Sequence, residues 1–353
     1  MIYFDNAATT VTKPKKVIDE AVNSIKNHGN PGRGSYSMSL DAAQKIFNTR
    51  LALANFFGSY SPERVVFTLN ATMSLNIAVK CFTKPGSHVL ISCFEHNSVY
   101  RPVVRLNREN KIEYDVCDVS ITDDEETVCG AVKQIKENTQ MIIITHVSNV
   151  CGKILPVRDI ITKVKEKKPD IITVVDASQS AGVLDINIYR DNIDILCVPS
   201  HKSMFGICGL GVMILNDKLN IPEATLTEGG TGINSLEEIM PSDTPEHFES
   251  GTPNTPAISA LCAAVEYINF ETPEKIYSHE RQLYDKAIEI LKNSSKKISL
   301  YSDFSQRNYI GAILFNIEGY KCEEVSRILA KNQIYVRDGY QEDDIIRTAQ
   351  LVS

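Results

Sequence analysis

The chain has 353 residues, 43% of them hydrophobic and 23% charged, and a formal net charge of −7 at neutral pH. These figures exclude a disordered, collagen-like or low-complexity polymer and favour a globular protein of two domains. The acidic balance argues against a nucleic-acid surface, which needs clustered Lys and Arg, but leaves room for a small anion in a local pocket.

Residues 1–10 hold no basic stretch followed by an apolar run, so no secretory signal is expected. Nowhere does an apolar segment approach the ~20 residues that cross a bilayer. A cytoplasmic protein without a membrane segment is the expectation. From residue 64 to 215, short runs rich in Val and Ile alternate with helical patterns. The runs 64–68, 88–92, 141–146, 171–175, 193–198 and 210–215 predict buried strands. Between them, 72–82, 125–137 and 157–168 carry apolar residues near i, i+3 and i+4 and predict helices. This alternation implies a mainly parallel sheet covered by helices on both faces, with ligands at the carboxyl ends of its strands.

Residues 228–255 are rich in Gly, Pro, Ser and Thr and read as a long functional loop. Helices at 257–270 and 273–293 follow, then a strand-like stretch at 309–317, a helix-like one at 323–332 and a strand at 333–337. The expected division is a large α/β domain over 1–254 and a small α+β domain over 255–353, with the first ~15 residues packed on the small one. The nine cysteines are scattered, without a CxxC pair or a zinc-like His spacing. Neither a metal site nor a disulfide framework is expected.

The chemistry gathers at the ends of the predicted strands. Ser200-His201-Lys202 follows the 193–198 run. A lysine there is partly desolvated, which lowers its pKa and makes its amine nucleophilic toward an aldehyde; alone, it reads more readily as a solvated loop lysine. Asp176 ends the 171–175 run, where a buried carboxylate needs a cationic partner. A pyridinium nitrogen is such a partner, and a helix N-cap is the competing role. Ala71 and Thr72 open a helix directly after the first strand. Free backbone N–H groups, the helix dipole and a hydroxyl make that turn a candidate phosphate site, with simple capping as the alternative. His96 and Asn149 follow two further strands, placed to stack on a flat cofactor and to donate to its phenolic oxygen. Five such residues after five strands point to pyridoxal 5'-phosphate.

The chain resembles the class V aminotransferase family, most closely its cysteine desulfurase and selenocysteine lyase branch. The resemblance rests on Tyr3-Phe4-Asp5-Asn6-Ala7-Ala8-Thr9-Thr10, Asn30-Pro31-Gly32-Arg33-Gly34, Asn70-Ala71-Thr72, Glu95-His96-Asn97-Ser98, His146-Val147-Ser148-Asn149, Asp176-Ala177-Ser178-Gln179, His201-Lys202 and Ser250-Gly251-Thr252-Pro253-Asn254-Thr255, which run in family order. It implies a PLP-dependent transferase fold of type I, with a seven-stranded-type sheet and a C-terminal domain shortened relative to the family. Lys202 would hold the cofactor as a Schiff base and shuttle protons. Asp176 would pair with the ring nitrogen, His96 would stack on the ring, and Gln179 and Asn149 would lie near the phenolic oxygen. Thr72 and His201 would hold the phosphate, and Thr252 would reach the phosphate of a neighbouring subunit in a homodimer with shared active sites. Pro199 stands where the family has Ser or Thr, so Ser200 is the substitute candidate. Asn30 and Arg347 are the candidates for binding an amino-acid substrate.

The resemblance breaks further at the position of the sulfur-accepting cysteine. Desulfurases of this family carry a cysteine that accepts sulfur as a persulfide after a Val-Arg-x-Gly-His-His-like stretch. Here Val336-Arg337-Asp338-Gly339-Tyr340-Gln341 is followed by Glu342. Sulfur transfer to an acceptor protein, C–S lyase chemistry by β-elimination, transamination, and a catalytically degenerate PLP-binding partner protein all remain open on the sequence. Cys151 and Cys208 are the substitute thiols, with buried filler as the ordinary role of such residues.

Overall fold

The computed structural model describes residues 1–32, 34–233, 236–301 and 308–338. In chain order it contains β1 (Ile2–Tyr3), α1 (Lys15–Asn27), α2 (Ser37–Phe56), β2 (Val65–Thr68), α3 (Ala71–Phe82), β3 (Ser87–Ser92), α4 (Asn97–Arg108), β4 (Ile112–Cys117), α5 (Asp124–Gln134), β5 (Thr139–Thr145) and α6 (Val157–Lys167). There follow β6 (Ile172–Asp176), β7 (Ile195–Pro199), β8 (Gly211–Leu215), α7 (Thr255–Glu271), α8 (Pro273–Lys292), β9 (Ile298–Leu300), β10 (Phe315–Ile317), α9 (Cys322–Lys331) and β11 (Ile334–Tyr335).

Seven strands form one sheet in the order β2-β8-β7-β6-β5-β3-β4. All run parallel except β8, which is antiparallel to both neighbours, β2 and β7. Strand side chains alternate between the two faces, and each face has its own core. Leu90, Ile142, Ile144, Val175, Leu196 and Val198 pack with residues of α5, α6 and α7. Val89, Ile91, Met141, Ile143, Val174 and Ile195 pack with residues of α3 and α4. Burial on both faces explains why these strands read as continuous apolar runs, and each such side chain contributes about 1.5–3 kcal/mol.

The 64–215 pattern therefore matches the fold, with helix α4 and strand β4 unforeseen. Among the described residues β4 pairs only with β3, and its middle residues are partly exposed. An edge strand of that kind lacks the apolar signature. The strand-like run 309–317 is interrupted: Tyr309 makes an isolated bridge to Lys153, and β10 begins at Phe315. Gly311, at φ +72°, turns the chain between them, a conformation glycine adopts without steric cost. β1 pairs in parallel with β11, bringing the first residues against the 334–335 strand. No helix among the described residues is long and apolar enough to cross a membrane.

Candidate active site

The parallel strands β2, β3, β5, β6 and β7 all end on one edge of the sheet, and the register aligns them. Pro199 and Thr68 both lie opposite Gly211, while Asp176 lies opposite Thr145 on one side and Cys197 on the other. Lys202 sits three residues past β7 and is half-buried. Burial lowers the pKa of its ammonium, the Asp176 charge pulls it back up, and the Arg337 charge lowers it further. Asp176 is 2% exposed, and its Oδ1 accepts the Ser178 N–H at 2.9 Å. The structure thus brings a lysine of reduced basicity and a buried carboxylate within electrostatic reach.

The segment beside Lys202 is held by the N-terminal residues. The His201 carbonyl accepts from the Thr10 N–H at 3.1 Å, the Thr9 hydroxyl at 3.2 Å, the Thr10 hydroxyl at 3.1 Å and the Lys13 ammonium at 2.9 Å. Gln179 joins the same segment, donating to the Ala7 carbonyl at 3.0 Å. Burial, and then the charges of Lys202 and Lys13, lower the pKa of the His201 ring.

At the end of β2, Asn70 caps α3 by accepting the Met73 N–H at 2.9 Å, and Ala71 and Thr72 form the first turn. The turn lies directly against β8: a Cβ added at Gly211 would stand 2.3 Å from the Asn70 carbonyl carbon. His96 caps α4, with Nδ1 accepting the Ser98 N–H at 3.1 Å. Exposed Thr72 and His96 line one cleft of about 420 Å³, together with Lys80, Arg101 and Arg105.

Three features make this edge fit pyridoxal phosphate. Nδ1 of His201 is buried without a partner among the described residues, a polar atom awaiting a ligand. A helix N-terminus opens at the end of β2, across β8 from β7. Lys202 and Asp176 supply an amine of lowered basicity and a buried negative charge.

The Ser200 side chain is buried and donates its proton to the Ile207 carbonyl, so its hydroxyl serves the loop. Asn149 is exposed in the turn between Val147 and Ile154, and Thr252 is exposed just ahead of α7. Asn30 is exposed, its Oδ1 accepting the Gly32 N–H at 2.9 Å. Arg347 and Glu342 lie outside the described residues. Cys151 is buried, and burial pushes its thiol up, whereas Cys208 is exposed with Sγ 4.0 Å from the Thr9 hydroxyl.

Sequence reasoning missed three residues here. Arg337 pairs with Asp5 (Nε to Oδ1 3.0 Å, Nη2 to Oδ2 3.3 Å) and its charge reaches Lys202. Lys13 donates to His201. Glu95 is a carboxyl group with a buried oxygen at the β3 end. Asp5 and Glu95 fall within the motif blocks, so part of the signal was present; nothing local marks Lys13.

The chain is similar to known proteins along nearly its whole length. A family model described as aminotransferase class-V matches residues 2–346. A probable cysteine desulfurase of Pyrococcus abyssi is 31% identical over 353 residues, covering 96% of this chain and 84% of that protein. A cysteine desulfurase of Wigglesworthia glossinidia brevipalpis is 28% identical over 349 residues, covering 96% and 83%. Among solved structures, the apo cysteine desulfurase of Thermococcus onnurineus NA1 superposes with a TM-score of 0.89 at 28% identity, covering 99% of this chain and 87% of that one.

Proposed function

The chain belongs to the class-V aminotransferase family, and on that premise we propose that it is a cysteine desulfurase-like or selenocysteine lyase-like enzyme holding pyridoxal phosphate on Lys202. The observation that carries the reading is Lys202 itself, half-buried, of lowered basicity and within the field of buried Asp176. Bound there, pyridoxal phosphate supplies an electron sink for charge developing at the α-carbon of an amino acid.

The chain's own groups do the rest. The lowered proton affinity of Lys202 Nζ suits it to take the α proton and return it. Asp176 faces the ring nitrogen, and His96 covers the ring. The Ala71–Thr72 turn, His201 and, from a second copy, Thr252 hold the phosphate. Asn149 and Gln179 serve the phenolic oxygen, and Asn30 and Arg347 receive the substrate. A homodimer is supported by large apolar side chains left exposed on α1 and α2: Ile18, Ile25, Leu40 and Phe47.

The sulfur step departs from the family. Glu342 cannot carry a persulfide, and Cys151 is buried with its thiol pushed up, unsuited to attack. Glu342 and Cys151 favour release of sulfur or selenium without a persulfide on the protein, and the exposed Cys208 is the one substitute thiol left.

The test is borohydride reduction of the purified protein, followed by peptide mass spectrometry and product analysis with L-cysteine. A pyridoxyl group fixed on Lys202, and absent in Lys202→Ala, is the expected result. Alanine as product marks desulfuration, and pyruvate with sulfide marks β-elimination. No pyridoxyl adduct at any cofactor concentration would sink the reading, and turnover of any amino acid would exclude a degenerate binding protein.

A further inference from the structure

Glu95 precedes His96 in the turn between β3 and α4. Its Oε1 accepts the Ser92 hydroxyl at 2.6 Å and the Thr145 backbone N–H at 2.5 Å, bridging the ends of β3 and β5. Thr145 is the residue paired with Asp176 across β5 and β6. The residue as a whole is half-buried, but Oε2 is fully buried with no partner among the described residues. An ionised carboxylate is costly in such a place, and a neutral acid much less so.

Building on the reading that this edge holds pyridoxal phosphate, we propose that Glu95 is a positioning residue. It locks the His96 turn to the β5–β6 edge and, by keeping its proton, leaves the negative charge of that edge to Asp176. Burial pushes the Glu95 carboxyl up to about 8; the Ser92 hydroxyl pulls it down, and the Asp176 charge pushes it further up. The other titratable groups around it are His96 and the thiols of Cys93 and Cys117. Burial pushes Cys93 up to about 12 and Cys117 higher still, so both stay neutral. Ionising Glu95 would set a second negative charge beside Asp176 and strengthen the hold of Lys202 on its proton.

The test compares full-length wild type with Glu95→Gln, which keeps an acceptor oxygen and has no proton to lose. Native Glu95 keeps its proton up to about pH 8, whereas an unfolded glutamate loses it near 4.5. The native state then binds more protons between those values, so this contribution to stability falls as pH rises through the window. The unfolding midpoint of wild type relative to Glu95→Gln should fall by roughly 2 °C per pH unit there, and parallel curves would overturn the proton-holding role. Exchange of the Thr145 amide should quicken about tenfold in Glu95→Ala and not in Glu95→Gln; equal rates in all three proteins would overturn the positioning role. In the holoprotein, the visible band of the bound cofactor should respond to pH near 8 in wild type and lose that response in Glu95→Gln. An unchanged response would overturn the coupling to Asp176. A wild type with no band at all refutes the cofactor reading and leaves the unfolding comparison to decide on Glu95.

Discussion

The ammonium of Lys13 donates to the carbonyl oxygen of His201 at 2.9 Å, so the residue next to the candidate Schiff-base lysine is anchored by the N-terminal segment. Lys13 is itself half-buried, and burial pushes its pKa down to about 8, against a smaller upward pull from Cys208. Replacing it by Met keeps the stem and removes the donor. The expected loss is about 1 kcal/mol, since the two threonines still serve the same carbonyl. Urea denaturation measures it, and an unchanged midpoint would show that Thr9 and Thr10 suffice.

Gly211 admits the Asn70–Ala71 turn at a distance no side chain tolerates. Gly211→Ala must push that turn off β8, at a cost of about 1–3 kcal/mol. The turn is also the proposed phosphate cradle, so affinity for pyridoxal phosphate should fall at least tenfold. Fluorescence titration checks this. A stable variant with unaltered cofactor affinity would remove the turn from the site.

Arg337 lowers the proton affinity of Lys202 through its charge. Replacing it by Met should raise that affinity and move the acid limb of the pH–rate profile to higher pH. Rate at neutral pH should drop about tenfold, within the range of acid–base contributions. A uniform rate loss with an unmoved limb would indicate that Arg337 acts on the substrate instead.

His146 closes β5 with Nδ1 buried and unpartnered among the described residues, and burial holds its ring down to about 4. An unfolded histidine binds its proton near 6.5, so between about 4 and 6.5 the unfolded state carries more protons. Stability therefore falls as pH drops through that window, by up to about 3 kcal/mol. Relative to wild type, His146→Leu should lose that part of the acid dependence in urea denaturation. Identical pH slopes would show that His146 does not titrate there.

Much of this molecule could be read locally. The apolar runs around Ile142, Val174 and Leu196 announce buried parallel strands, because burial on both faces leaves no room for polar alternation. The residues after them, Thr72, His96, Asp176 and Lys202, are polar groups at strand ends in a sheet whose ligands bind there. The helix α2 was harder to read. Leu40 and Phe47 face outward, so no single apolar stripe marks its buried side.

The sequence by itself determined six strands of the sheet, the order of their chemistry along the chain and the absence of cysteine at position 342. Each depends on side-chain type along a short stretch of chain. Only the tertiary structure decided that Lys13 holds His201, that Arg337 acts on Lys202, that Ser200 serves its own loop and that Oε2 of Glu95 is buried. Those facts come from through-space charge and loss of solvent, which exist only once distant segments pack together.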